Sequence, residues 1–283
     1  MTTTALYKSA AGEQAVMATY DAALQNWAVP YTTRRIATRH GSTFVIVSGD
    51  ESAPPLILLH GAGGNSTIWA GDVGQFCRRY RVYAFDLVGE AGKSAPTRPA
   101  WKGPAYSEWL QDVFEGLQLE QAALAGVSQG AWTALKFAVT APQRVTSLIL
   151  IAPGGIIPDR LSFALKAVAL MMFGQRGTKR LVKELFGDVP VPEDVAAIVV
   201  QITGVFKPRV GVLPIFSDAE LQALTMPILL VGGTKDIMRD VDKIAARLNR
   251  LVPDLTVKRV PGAGHAMLET APHLADFLGL ESR

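Results

Sequence analysis

The sequence has few of the features on which several classes of protein depend. Cys77 is the single cysteine among 283 residues, so we expect neither an internal disulfide nor a cysteine-based metal cluster. Its longest apolar runs are short, since Lys166 interrupts one and Gln201 ends another, and they do not reach the length of a membrane span. The N-terminal residues lack the basic and unbroken apolar segments of a signal peptide. We therefore expect a soluble, cytoplasmic protein.

Neither sign of charge dominates the chain. Lysine and arginine number 28 against 25 acidic residues, and the formal net charge is +3. The densest basic group, residues 34–40, is interpreted as a solvated strand face, and we expect no nucleic-acid partner. The stretch Gly89–Ser94 ends like a phosphate-binding loop, but Leu87 stands where that motif requires glycine. No nucleotide site is predicted.

What the chain has in abundance is apolar sequence, 49% of its residues, arranged in alternating short β-type and longer helical patterns. Such alternation favours right-handed βαβ units and a mostly parallel sheet flanked by helices, an α/β fold. The predicted strands cover residues 43–48, 55–59, 81–85, 122–127, 147–151, 227–231 and 255–260. The predicted helices cover residues 65–79, 105–117, 129–140 and 241–251, with a last helix from about residue 272.

The alternation is interrupted once. Residues 154–225 contain helical patterns and several prolines but no convincing strand. This predicts a helical lid inserted after the sixth strand, where the count includes the first strand of a hairpin that begins near residue 34. The core is then formed by residues 1–153 and 226–283. Its first part, residues 1–30, is predicted to be a helical preface that packs on the outside of the core.

The stretch AGVSQGA, residues 125–131, carries the first chemical signal. Ser128 stands between Gly126 and Gly130, after an apolar strand and before a helix. This is the context of the G-x-S-x-G nucleophile elbow, in which a strained turn exposes a serine and larger neighbours would collide. Because a glycine-flanked serine also occurs in ordinary loops, partners are needed to support the interpretation.

A serine hydroxyl needs an adjacent base, and the chain has only four histidines. His265 lies in PGAGHAM, between the last predicted strand and the last helix, where Gly262 and Gly264 permit a sharp bend. His40 and His273 are interpreted as surface residues. His265 is therefore the predicted base.

The orienting acid is predicted to be Asp236. It follows the strand PILLV, at the sheet edge where α/β folds place their chemistry. Asp240 and Asp242 are nearby alternatives, better suited to the first turn of the next helix.

Donors for an oxyanion are predicted in two loops. HGAGG, residues 60–64, follows the strand PLILL and can expose the backbone N–H of Ala62, while Gln129 supplies the N–H after the nucleophile. His60 is expected to support this loop rather than to transfer protons.

With these motifs in place, the chain resembles the α/β-hydrolase family from about residue 41 to its end. HGAGG, FDLVGEAGKS, GVSQG, LLVGGTKD and GAGH follow in family order, and the triad order serine, aspartate, histidine is that of the family. The segment after Asp86 departs from the family pattern D-x-x-G-x-G-x-S. The helical preface, the hairpin over residues 34–49 and PPLILLHGA are similar to bacterial carboxylesterases of the naproxen-esterase type.

The resemblance implies ester hydrolysis without a cofactor or metal, with Ser128 as nucleophile, His265 as base and Asp236 as acid. We expect an apolar acyl pocket beneath the lid for a small-molecule ester. Its candidate binding residues are Trp69, Trp132, Met172 and Phe206.

Alternatives remain at this point: another chemistry of the fold (C–C bond hydrolysis, lyase chemistry or perhydrolysis), or a non-catalytic ligand-binding protein. Haloalkane dehalogenase and epoxide hydrolase chemistry are disfavoured, because both families place an aspartate where Ser128 stands. The sequence leaves a monomer or a homodimer open.

Overall fold

A computed structural model describes residues 5–209 and 211–280, in which eight strands form one sheet. The first four residues of the predicted preface, residue 210 of the predicted lid and the last three residues of the predicted core lie outside these ranges. The strands are β1 Tyr31–Ile36, β2 Thr43–Ser48, β3 Pro55–Leu59, β4 Arg81–Phe85, β5 Ala122–Val127, β6 Val145–Ile151, β7 Ile228–Gly233 and β8 Leu255–Val260.

The described residues also form ten α-helices and two short 3-10 helices. The α-helices are α1 Ala10–Gln25, α2 Val73–Phe76, α3 Ala105–Gly116, α4 Gln129–Ala138, α5 Leu161–Met171, α6 Gly174–Phe186, α7 Glu193–Val205, α8 Asp218–Gln222, α9 Val241–Leu248 and α10 Ala271–Leu278. The 3-10 helices span Ser66–Trp69 and Pro142–Arg144. None of the helices within the described ranges is long and apolar enough to cross a membrane.

The strand order of the sheet is β1-β2-β4-β3-β5-β6-β7-β8. β2 pairs antiparallel with β1 and with β4, and every pair from β4 through β8 is parallel. Because the carboxyl ends of parallel strands meet at one edge of the sheet, the loops after β3, β4, β5, β7 and β8 converge there. The predicted mostly parallel α/β architecture is confirmed.

Hydrophobic clusters cover both faces of the sheet. β3 contributes to each of them, since Ile57 and Leu59 belong to one cluster and Leu56 and Leu58 to the other, all fully buried. A strand that is buried on both faces has a continuous apolar sequence, and the sequence of β3, PLILL, is of this kind. The fully covered centre of the sheet gives the converging loops a rigid base.

The predicted helix over residues 65–79 is wrong: the chain there forms a 3-10 helix and the single-turn α2. The side chain of Asn65 accepts the N–H of Thr67 and starts the 3-10 helix. Asp72 then accepts hydrogen bonds from the backbone of Thr270 and Ala271 at the start of α10. These long-range bonds fix the chain at Asp72, in the middle of the stretch for which the sequence pattern predicts one continuous helix.

Residues 152–227 connect β6 to β7, and we call them the connecting segment; its helices are α5 to α8. The segment is joined to the N-terminal part of the chain, where the N–H of Lys8 donates to the carbonyl of Val205 at 2.8 Å. Phe206 packs edge-on against Tyr7, with ring centroids 5.6 Å apart. The helix α1 also contacts this segment, since the hydroxyl of Thr19 donates to the side-chain oxygen of Gln201 at 3.0 Å, while Tyr20 is buried in the core.

Candidate active site

Ser128 lies on a sharp turn between β5 and α4. Its φ of 53° falls in the left-handed region that residues with side chains rarely adopt. A Cβ added to Gly126 would lie 2.4 Å from the backbone nitrogen of Ala131, and one added to Gly130 would lie 2.3 Å from the carbonyl oxygen of Leu59. Both glycines are therefore required by close backbone approach, and the turn projects Ser128 at the sheet edge.

The imidazole of His265 lies between the hydroxyl of Ser128 and the carboxylate of Asp236. Its Nε2 is 3.0 Å from Ser128 Oγ, and its Nδ1 is 3.0 Å from Asp236 Oδ2. A carboxylate only accepts, so Nδ1 carries the proton and donates it to Asp236, which leaves Nε2 free to accept from the serine. The arrangement has the geometry that general-base activation of a hydroxyl requires.

The loop that carries His265 is held by the end of α6. The N–H of Gly264 donates to the carbonyl of Phe186 at 3.0 Å, and that of Ala266 to the carbonyl of Leu185 at 2.8 Å. A Cβ on Gly264 would lie 2.2 Å from the latter oxygen. The connecting segment therefore fixes the backbone on both sides of His265.

Asp236 is fixed from its other side by backbone donors. Its Oδ1 accepts the N–H groups of Met238 and Arg239 at 2.7 and 3.0 Å. Burial opposes ionisation of the carboxyl, but the hydrogen bonds from His265 and from the two backbone groups outweigh it and hold the pKa of Asp236 below its ordinary value.

The two alternative acids have other partners. Asp240 is the N-cap of α9, where its side chain accepts the N–H groups of Asp242 and Lys243, and it also pairs with Arg160. Asp242 pairs with Arg259. Of the three aspartates, Asp236 is the one that the structure brings to His265.

The other histidines lie in different settings. His40 is bound to Glu108 at 3.1 Å, and His273 lies half-buried in α10. The Nε2 of fully buried His60 accepts the N–H of Leu87 at 2.9 Å, so its Nδ1 carries the proton and donates to the carbonyl of Gly61. Burial lowers the pKa of His60, in keeping with a neutral ring that ties the HGAGG loop to the loop after β4.

The HGAGG loop lies directly beside the serine. A Cβ on Gly61 would lie 3.7 Å from the Cβ of Ser128. Within residues 5–209 and 211–280, the N–H groups of Ala62 and Gln129 form no backbone hydrogen bond. Both predicted donors therefore retain their capacity to bind a developing oxyanion.

Glu90, which the sequence reasoning missed, holds this loop. Its Oε2 accepts the N–H of Gly63 at 2.7 Å, and its Oε1 accepts the side-chain amide of Gln129 at 3.0 Å. Burial raises the pKa of Glu90, although these hydrogen bonds oppose the shift. The one available signal was a lone glutamate in GEAGKS, the segment that departs from the family pattern. In the structure of this segment, Gly92 lies against Asp86, and the carboxylate of Asp86 accepts the N–H of Lys93.

Glu90→Gln should change how stability depends on pH. The ordinary pKa of the glutamate is 4.5, and the folded-state pKa is higher, so the folded protein binds more protons than the unfolded chain between the two values. The wild type should therefore lose stability relative to the non-titrating variant as pH rises through that window. Urea unfolding of both proteins at about pH 5 and about pH 8 measures this. A difference that stays constant or moves the other way would contradict the assignment.

A buried arginine also reaches the serine. Arg239 is 4% exposed, and its Nη1 lies 3.2 Å from Ser128 Oγ and 3.1 Å from the carbonyl oxygen of Ala152. Its Nε and Nη2 pair with the two carboxylate oxygens of Asp159 at 2.6 and 3.3 Å. No motif in the sequence predicts this contact.

The four predicted substrate-binding residues lie in different surroundings. Trp69 and Trp132 are each 1% exposed, and the indole N–H of Trp132 donates to the carbonyl of Pro214 at 3.0 Å. Phe206 is buried in a cluster with Tyr7, whereas Met172, just beyond the end of α5, is 84% exposed. The structure thus brings Ser128, His265 and Asp236 together and leaves these four apart from one another.

The chain matches the model of the "Alpha/beta hydrolase family" over residues 56–275. It belongs to this family, and the match covers the connecting segment and the sheet from β3 to β8, whereas β1 and β2 precede it.

Among its relatives, it is 32% identical to the Bacillus subtilis protein named "Uncharacterized carboxylesterase nap", over 90% of this chain and 87% of the relative. The crystal structure of the B. subtilis carboxylesterase CesB (YbfK) is similar with a TM-score of 0.83 and 30% identity, covering 95% of this chain and 97% of the other. That of the B. subtilis naproxen esterase (carboxylesterase NP) has a TM-score of 0.82 and 29% identity, covering 96% and 97%. The chain is esterase-like in sequence and in fold.

Proposed function

We propose that the protein is a serine hydrolase that cleaves carboxylic esters of small molecules through an acyl-enzyme, with Ser128, His265 and Asp236 as its catalytic triad. The observation that carries the proposal is the pair of 3.0 Å contacts linking the serine hydroxyl through the imidazole to the buried carboxylate. The similarity to named carboxylesterases over most of the chain supports an ester as the substrate.

The reaction proceeds in two half-reactions. Ser128 Oγ attacks the ester carbonyl carbon while its proton passes to His265 Nε2, and the N–H groups of Ala62 and Gln129 stabilise the oxyanion that forms. Each such donor contributes roughly 3–4 kcal/mol in the transition state. His265 then protonates the departing alcohol, and water repeats the sequence on the acyl-enzyme to release the acid.

Asp236 keeps its charge throughout this cycle. It stabilises the imidazolium that forms in each half-reaction and holds the ring so that Nε2 faces the serine. Its lowered pKa supports this role, because the carboxylate stays ionised well below neutral pH.

We further propose an acyl pocket that is mostly apolar, with the connecting segment acting as its lid. The position of Leu213 supports an apolar pocket. This side chain packs closely against Gly154, which lies beside the nucleophile turn: a Cβ added to Gly154 would be 2.6 Å from Leu213 Cδ1. Trp132 lies equally close to Gly155 on the same loop, where the corresponding distance is 2.4 Å. Leu213 thus places a partly buried apolar side chain next to the loop after β6, and Trp132 packs against the same loop as part of the buried core.

A panel of nitrophenyl esters tests the function and the pocket together. We expect a burst of nitrophenol from short acyl esters, because nitrophenol is a good leaving group and the acyl-enzyme should form faster than it is hydrolysed. We also expect medium-chain and aromatic esters to be preferred over charged ones, because an apolar wall offers no partner to a charge. Turnover of none of these esters would refute the esterase proposal, and a preference for anionic or sugar esters would refute the apolar pocket.

A further inference from the structure

The guanidinium of Arg239 is fully engaged on the side that faces the nucleophile. Both hydrogens of Nη1 are used, one by Ser128 Oγ at 3.2 Å and the other by the carbonyl of Ala152 at 3.1 Å. Asp159 holds the opposite edge of the planar group through two bonds, and it is the one carboxylate that pairs with Arg239 within the described ranges. The planar group is therefore fixed in orientation as well as in position.

We propose that Arg239 is a fourth member of the catalytic centre, which orients the hydroxyl of Ser128 and stabilises negative charge on its oxygen. This inference rests on the proposed function, since it assigns a role in the same acyl transfer. No residue of the triad performs this task, because His265 contacts the serine from its proton side.

The orienting effect follows from the hydrogen-bonding capacity of a hydroxyl. Ser128 Oγ has one proton to donate and two lone pairs to accept with. A guanidinium only donates, so its Nη1–H occupies a lone pair of Oγ and repels the hydroxyl proton. That proton is directed to His265 Nε2, the acceptor at 3.0 Å. The serine is thus held in the rotamer and with the proton direction that attack requires.

The charge effect matters most when the acyl-enzyme breaks down. Water adds to the acyl carbon and gives its proton to His265, and the tetrahedral intermediate then expels Oγ. As the carbon–Oγ bond breaks, Oγ takes the electron pair and recovers a proton from His265 Nε2. A charge-assisted donor already in contact with Oγ lowers the energy of this step, because such bonds are stronger than neutral ones.

Arg239 contacts both Asp236 and Ser128, the two outer members of the triad. The N–H of Arg239 donates to Asp236 Oδ1, while its side chain donates to Ser128 Oγ. A role as receptor for a substrate anion is disfavoured, since Asp159 already occupies Nε and Nη2 of the guanidinium and both hydrogens of Nη1 have partners.

Arg239→Ala tests the proposal, with Arg247→Ala as its matched control. Arg247 likewise binds an aspartate, Asp218, and the carbonyl oxygens of Ile156 and Phe216, but it does not contact Ser128. For a neutral nitrophenyl ester, Arg239→Ala should lower kcat roughly 10- to 100-fold with little change in KM, the range expected for a lost charge-assisted bond. The rate constant of fluorophosphonate labelling at Ser128 should fall in parallel.

Guanidinium chloride, at concentrations too low to unfold the protein, should restore part of the activity that Arg239→Ala loses. The same treatment should not raise the activity of Arg247→Ala. An unchanged labelling rate in Arg239→Ala would overturn the proposal. The proposal would also fail if thermal unfolding accounted for the loss of activity and guanidinium did not restore it. A loss confined to the KM of esters with a carboxylate in the acyl group would likewise overturn it. If the wild type itself were not labelled at Ser128, the proposed function would fail instead.

Discussion

Ser128→Ala should abolish ester hydrolysis, with a fall in kcat on the order of 10⁶-fold, because it removes the hydroxyl that we propose forms the acyl-enzyme. The variant should fold normally, since the serine side chain bonds only His265 and Arg239 among the described residues. Its melting temperature should therefore stay close to that of the wild type.

Labelling with a fluorophosphonate, followed by peptide mapping, checks the assignment directly. The wild type should carry the label on Ser128 alone, and the variant should carry none. Ser147→Ala, which removes a half-buried serine from β6, provides a control that should label like the wild type. A label that persists in Ser128→Ala would show that the nucleophile is another residue.

Asp236→Asn should lower turnover by about 10⁴-fold, the effect that the corresponding change has in the serine-protease triad. Asparagine retains an oxygen that can accept the N–H groups of Met238 and Arg239, but its amide then faces His265 Nδ1. An amide donates, so Nδ1 must accept and the ring proton moves to Nε2. The imidazole can then no longer take the proton of Ser128.

Asp240→Asn is the matched control, four residues further along the chain. Its carboxylate caps α9 and pairs with Arg160, so the substitution should cost about 1 kcal/mol of stability at most and leave turnover nearly intact. Steady-state kinetics and urea unfolding of both variants distinguish the two aspartates. Reversed phenotypes would assign the triad acid to Asp240 and leave Ser128 and His265 in place.

Most of the strands could be predicted because their sequence pattern agrees with their environment in the sheet. The predicted bounds of β3, β4, β5 and β8 coincide with the observed ones, since each is a short β-rich run that is followed directly by a polar residue or, after β8, by a proline. The elbow and the histidine loop could also be found, because close packing forces glycine at particular positions and leaves a readable motif.

Contacts between residues far apart in the chain could not be predicted in this way. Asp72 ends the predicted helix over residues 65–79 because Thr270 and Ala271 donate to it, and nothing near residue 72 announces these partners. Arg239 and Glu90 reach the site through side chains whose partners are separated from them by dozens of residues. A charged residue in a local sequence window looks the same whether it faces water or a nucleophile.

The hydrogen bonds between the end of α6 and the histidine loop limit how this chain can be recombined with its relatives. A chimaera joined at residues 153 and 226 would take His265 from one parent and the backbone that holds its loop, Leu185–Phe186, from the other. An exchangeable module that keeps the histidine in place therefore ends before Leu185, inside α6. We therefore expect segment exchange between relatives to be tolerated best in the first half of the connecting segment, whereas the second half should be exchanged together with the loop of His265, the proposed base.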